Sequence, residues 1–79
     1  MDSGFGRAHG ALHPRVRKVL ERVYAIDGVA EARAWLWPGH MAVAVNGVGA
    51  EAHLLRRVAA ACQGLEEPNE EWSFGILGD

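Results

Sequence analysis

Residues 29–45 read VAEARAWLWPGHMAVAV, and the arrangement of the rest of the chain follows from this stretch. In its first nine residues, small apolar side chains occupy every second position, and larger or charged side chains occupy the positions between them. Such alternation is typical of a β-strand with one buried face. The Pro-Gly-His sequence at 38–40 is turn chemistry, and the apolar run at 41–45 predicts a second strand. The stretch therefore predicts a β-hairpin.

The two faces of this hairpin differ in character. On the first strand one set of alternate residues is wholly apolar, whereas the opposite set includes Glu31 and Arg33. The apolar set is therefore predicted to face the core, which places Arg33, Trp35 and Trp37 on the outer face. The predicted inner residues of the two strands are Ala30, Ala32, Ala34 and Leu36, then Met41, Val43 and Val45, with the small Ala42 and Ala44 outside.

Helical periodicity flanks the hairpin on both sides. From Pro14 onward, apolar residues recur at spacings of three and four, which predicts an amphipathic helix that stops at Asp27-Gly28. From about Ala50 to Gln63 a similar pattern predicts a second helix. The two apolar stripes are Val16, Val19, Leu20, Val23 and Ile26, then Leu54, Leu55, Val58, Ala61 and Cys62.

The last stretch, WSFGIL at 72–77, predicts a third strand. The second helix and the polar connection at 66–71 are together long enough for a right-handed parallel crossover, and the glutamates of that connection are expected to be solvated. The order α-β-β-α-β predicts an α+β fold, a ferredoxin-like sandwich with a three-stranded sheet and two helices on one face. The inner residues of the third strand are predicted to be Trp72, Phe74 and Ile76, with Ser73 and Gly75 outside.

Length and composition bound the class of protein. A chain of 79 residues forms one domain at most, and we expect residues 13–79 to be that domain and residues 1–12 to be a flexible N-terminal tail. The formal net charge of −2 gives no general attraction to nucleic acid or to an anionic membrane. Neither an apolar run of the roughly 18 residues that a membrane span needs nor a signal-peptide pattern is present. We therefore expect a soluble, cytoplasmic protein without nucleic-acid binding or membrane insertion.

The side chains that carry catalysis are sparse. The only serines are Ser3 and Ser73, and the single cysteine, Cys62, belongs to the apolar stripe of the second helix. We therefore expect a non-enzymatic protein that needs no cofactor. The candidate metal ligands are His40 and His53, with Glu51 or Asp79 as a carboxylate partner, and the alternative for both histidines is simple solvent exposure.

The outer face of the hairpin carries the main functional hypothesis. Tryptophan and arginine are enriched at interface hot spots, so Arg33, Trp35 and Trp37 predict a surface that binds a second copy of the chain or another protein. The small residues on the neighbouring strands would give the indole rings a flat bed. The alternative is that the tryptophans only cover the sheet of a protein with a thin core.

Two families resemble this chain. The stretch IDGVAEARAWLWPGHMAVAV at 26–45, followed by AEAHLL at 50–55, resembles the cytoplasmic C-terminal domain of cation diffusion facilitator transporters. That resemblance implies an α-β-β-α-β dimer and, as in many members, divalent-metal binding through histidines and acidic residues. The stretch VAVNGVGAEAHLLRRVAAACQGL at 43–65 is similar to the BON domain, which has the same element order and is associated with envelope or membrane proteins. A divalent-metal-responsive binding module is therefore the alternative to a protein-interaction domain.

Overall fold

The computed structural model describes residues 9–78 and places the elements in the predicted order. The strand β2 lies at the centre of a three-stranded mixed sheet, antiparallel to β1 and parallel to β3. This confirms the α+β fold and the parallel crossover through the second helix. The elements are α1 (Pro14–Tyr24), β1 (Val29–Trp37), β2 (His40–Gly47), α2 (Glu51–Ala61) and β3 (Glu71–Ile76).

The ends of α1 follow from local hydrogen bonds. Pro14 occupies the first turn, and the Nδ1 atom of His13 accepts a hydrogen bond of 3.1 Å from the backbone N–H of Arg15. The imidazole thus satisfies one of the donors that every helix start leaves without an intrahelical partner. At the other end α1 stops at Tyr24, before the predicted stop at Asp27-Gly28, because the chain tightens into turns beyond it.

Two glycines allow the hairpin to close. Trp37 pairs with His40, so Pro38 and Gly39 alone form the loop, and Gly39 has a φ of 77°, which glycine adopts without strain. At the open end of the hairpin, a Cβ on Gly47 would overlap the backbone of Gly28. Only glycine therefore permits the close approach of β2 to the start of β1.

The core lies between the helices and one face of the sheet, with α1 packed on β1 and α2 packed on β3. The predicted inner residues of β1 and β2 are buried, except for Ala30, which is exposed where the pairing of β1 with β2 shifts by one residue. The inner residues of β3 are only half-buried. The buried residues are Val16, Val19, Val23, Ala32, Ala34, Leu36, Met41, Val43, Val45, Leu54, Val58 and Cys62.

The predicted flexible tail falls mostly outside the described residues, which begin at His9. The backbone N–H of His9 donates to the carbonyl of Leu36 at 2.7 Å, and the N–H of Leu36 donates to the carbonyl of His9 at 3.0 Å. The described end of the tail therefore forms one isolated bridge with the outer edge of β1. Within residues 9–78, neither helix has the length and apolar character to cross a membrane.

Candidate interaction surface

Both helices pack on one face of the sheet, and we call the opposite face the open face. Strand alternation and the observed register place the predicted interface residues Arg33, Trp35 and Trp37 on this face, so the predicted orientation of β1 is confirmed. The register also aligns the open-face residues of the three strands in rows. These rows are Trp37–His40–Glu71, Trp35–Ala42–Ser73 and Arg33–Ala44–Gly75.

The open face has an uneven relief. Its large side chains stand in one line along β1, and both indoles are only half-buried. Beside that line, β2 and β3 contribute only small residues to the rows that contain Trp35 and Arg33. We call the line of Arg33, Trp35 and Trp37 the ridge, and we call the area formed by Ala42, Ala44, Ser73 and Gly75 the trough.

One polar contact fixes the end of the trough near the hairpin turn. The Nε2 atom of His40 lies 3.0 Å from the Oγ atom of Ser73, and this hydrogen bond joins β2 to β3 across the open face. The same imidazole packs edge-on against Trp37, with ring centroids 5.6 Å apart and an interplanar angle of 82°. The ring therefore supports the indole in a geometry that aromatic pairs favour.

The charged residue of the ridge is held only loosely. The Nη2 atom of Arg33 lies 3.3 Å from the Oε2 atom of Glu31, and both side chains are largely exposed. An exposed ion pair of this kind contributes little to stability. The guanidinium group of Arg33 therefore stays accessible to a molecule that approaches the open face.

The candidate metal ligands lie far apart. His40 begins β2, whereas His53 is an exposed residue near the start of α2, which follows the far end of β2. Nearly the whole length of β2, about 20 Å of strand, therefore lies between His40 and the start of α2. Asp79, the proposed carboxylate partner, lies outside the described residues. In the part of the chain that the structure describes, no three histidine, cysteine, aspartate or glutamate side chains form a group that would hold a metal ion.

The sequence interpretation missed Glu70, which was expected to be a solvated carboxylate. Its side chain is only 5% exposed and forms a bidentate ion pair with Arg15 of α1, with N···O distances of 2.6 and 2.8 Å. The indole Nε1–H of Trp72 donates to the same carboxylate at 2.8 Å. Arg15 also donates to the carbonyl of Leu65 at 3.0 Å. This cluster ties α1 to the start of β3.

Hydrogen bonding sets the protonation of this cluster. The bidentate contact with Arg15 lowers the pKa of Glu70 from 4.5 to about 2, against the opposing effect of burial, and the indole of Trp72 adds to the lowering. Glu70 is therefore ionised throughout the physiological pH range. At the C-terminal end of α2, burial raises the pKa of the Cys62 thiol, so this cysteine has little thiolate character.

None of the protein-family models, curated proteins or solved structures that we compared with the chain matches it. The resemblances to the cation diffusion facilitator domain and to the BON domain therefore stay predictions.

Proposed function

We propose that this chain is a small, non-enzymatic protein-interaction domain that self-associates through the open face. The observation that carries the proposal is the ridge of large side chains beside a trough of small ones on the open face. The cytoplasmic location expected from the sequence belongs to the same proposal.

The relief of the open face favours a second copy of the chain as the partner. A two-fold axis that runs parallel to the strands, midway between two stacked sheets, places β1 of one copy over β3 of the other. Trp35 then lies over Ser73 of the second copy and Arg33 lies over its Gly75, because these residues share rows. Trp35 and Arg33 thereby enter the trough of the other copy, Trp37 lies over its Glu71, and the same contacts form twice.

The remaining exposure of the two indoles gives such a contact its driving force. Trp35 and Trp37 are half-buried in the single chain, so stacking removes the rest of their surface from water. This burial is worth about 1–2 kcal/mol per indole. Four indoles contribute in a symmetric pair, which offsets part of the entropy lost on association.

Sedimentation velocity tests the proposal. We expect the wild-type chain to sediment at two or more times its monomer mass of 8.5 kDa. We expect the Trp35→Ala/Trp37→Ala double variant to sediment at a lower mass than the wild type at the same concentration. The matched control is Leu12→Ala/Val48→Ala, which removes exposed apolar side chains outside the sheet and should keep the wild-type mass. A wild-type mass that the tryptophan variant retains would overturn the proposal.

The divalent-metal alternative has a separate test. A metal that binds only the native state raises the melting temperature, so a thermal melt with and without excess zinc reports binding directly. Equal melting temperatures remove the alternative. A rise in the wild type that His40→Ala or His53→Ala abolishes would favour it over self-association.

A further inference from the structure

The two edges of the sheet are treated differently by the rest of the chain. At β1, the phenol of Tyr24 accepts from the N–H of Ala32 at 2.9 Å and donates to its carbonyl at 3.2 Å, and His9 bridges to Leu36. Both sets of contacts occupy outward-pointing backbone groups of β1. The chain therefore closes much of this edge with its own residues.

At β3, by contrast, the outward backbone groups face no strand within residues 9–78. The N–H of Glu71 donates to Gly39 and the N–H of Leu77 donates to Val45, so odd-numbered residues of β3 point their backbone groups toward β2. The alternate residues point theirs away from β2. The outward donors and acceptors are those of Trp72, Phe74 and Ile76.

After Glu71, this edge lacks the charges, prolines and bulges by which proteins discourage edge pairing. Residues 72–76 contain no charge and no proline, and we see no bulge in the pairing of β3 with β2. The side chains of the outward residues, Trp72, Phe74 and Ile76, pack against the core and are only half-buried.

The flank of α2 above the β3 edge consists mainly of small and apolar side chains, and the exposed Arg56 lies next to it. Arg57 donates to the carbonyl of Asp27, and Arg22 of α1 donates to the carbonyl of Ala61, which identifies the flank of α2 that faces α1. At about 100° per residue, the opposite flank lies above the outer edge of β3. That flank is formed by Ala52, Leu55 and Ala59.

We propose that the β3 edge binds the β3 edge of a second copy in antiparallel fashion, which joins two sheets into one of six strands. A lone peptide strand would pair with the backbone of β3 and leave the flank of α2 uncovered. A second copy brings its own α2, and the small Ala52 and Ala59 allow the two helices to approach closely. The surface is distinct from the open face, so this inference goes beyond the proposed function.

The charges near β3 are compatible with this symmetry. Glu70 and Glu71 lie at the start of the strand, and an antiparallel arrangement places the two starts at opposite ends of the new pair. With Phe74 opposite its symmetry mate, the two Glu71 residues are about 20 Å apart. That separation exceeds the Debye length of about 8 Å at physiological ionic strength, so their repulsion is screened.

A pair of arginine substitutions on α2 tests the inference by sedimentation velocity. Ala59→Arg puts a long charged side chain on the flank above β3 and should raise the dissociation constant at least tenfold. Ala60→Arg, one residue along on an exposed position, is the matched control and should sediment like the wild type. Ala52→Arg, at an exposed position near the start of α2, repeats the test without touching the core.

The outcomes separate this inference from the proposed function. Circular dichroism first establishes that each variant is folded. A lower mass for Ala59→Arg and Ala52→Arg, with the mass of Ala60→Arg unchanged, supports the β3 edge, whatever Trp35→Ala/Trp37→Ala does. Equal masses for the three arginine variants and the wild type overturn it, even if the tryptophan variant dissociates. A wild-type chain that stays a monomer at every concentration overturns both proposals.

Discussion

The two edges of the sheet differ in whether their outward backbone groups have hydrogen-bond partners within the described chain. The β1 edge is occupied by a tyrosine hydroxyl at Ala32 and by a backbone bridge at Leu36. At the β3 edge, the indole N–H of Trp72 donates to the Glu70 carboxylate at the start of the strand. Beyond that anchor, the described chain leaves the outward backbone groups of β3 without a strand partner.

This difference indicates where a partner strand can add to the fold. A strand edge with free donors and acceptors is a template for pairing, and natural proteins usually block it with charges, bulges or covering segments. In this chain the blocking contacts are at β1, next to the ridge of the open face. The free edge borders the trough instead, so the two proposed contact surfaces meet at β3.

The largest expected effect comes from removing the anchor of β3. Glu70→Ala leaves Arg15 without its bidentate partner and the indole N–H of Trp72 without an acceptor. We expect the free energy of unfolding to fall by about 2 kcal/mol, since the substitution removes charge-assisted hydrogen bonds from a part-buried pair and leaves their donors without the acceptor. Urea denaturation measures the loss. Glu71→Ala, an exposed neighbour, should change it by less than about 0.5 kcal/mol; equal losses in both variants would show that the anchor has no special role.

Acid should weaken the same anchor in the wild type. Because the native-state pKa of Glu70 is lowered to about 2, its stabilising contribution is present above pH 4.5 and is lost as the pH falls toward 2. The loss across that range is on the order of 2 kcal/mol. Urea denaturation at pH 6 and pH 2.5 gives the two values, and in Glu70→Gln the difference should be smaller by this amount. A Glu70→Gln variant with the full wild-type acid dependence would contradict the assignment.

Opening the β1 edge should have a smaller effect. Tyr24→Phe keeps the ring and removes the hydroxyl that bonds both the N–H and the carbonyl of Ala32. We expect the free energy of unfolding to fall by about 1 kcal/mol, because water replaces the hydroxyl at this exposed position. The amide of Ala32 should also exchange with solvent at least tenfold faster. An unchanged exchange rate would mean that the tyrosine does not close this edge.

The smallest effect is expected in the trough. Ser73→Ala removes the hydrogen bond between His40 and β3 on an exposed part of the sheet. We expect a change in the free energy of unfolding below about 0.5 kcal/mol, within the range of ordinary surface substitutions. Association through the open face should persist, since alanine is as small as serine and the trough still has room for the ridge of the other copy. A loss of association in Ser73→Ala would show that the polar contact, and not the relief, matters.

The parts of the fold that local patterns encode could be predicted from the sequence. The alternation in β1, the Pro-Gly turn and the helical stripe that begins at Pro14 each lie within a window of about a dozen residues, and they indicated the elements and the faces of the strands. The parallel position of β3 followed from the length of the connection between β2 and β3. Helix α1 ends at Tyr24 and not at the predicted Asp27-Gly28, because the turns after Tyr24 depend on backbone geometry that the spacing of apolar residues does not report.

The side-chain contacts at the two edges of the sheet could not be predicted from local patterns. Arg15 and Glu70 are 55 positions apart, and Glu70 is one of four glutamates in a polar stretch, so nothing local marks it as the buried one. The hydroxyl of Tyr24 meets Ala32 only after α1 packs on β1. The role of the open face remains a prediction, because its orientation follows from alternation but its partner does not.

Amide hydrogen exchange at several protein concentrations tests the difference between the two edges most directly. The amides of Ala32 and Leu36 are bonded within the chain, so we predict that their protection does not depend on concentration. The amides of Trp72, Phe74 and Ile76 should be protected at high concentration and should exchange faster on dilution, in step with the fall in sedimentation mass. Fast exchange of these three amides at every concentration would contradict the account.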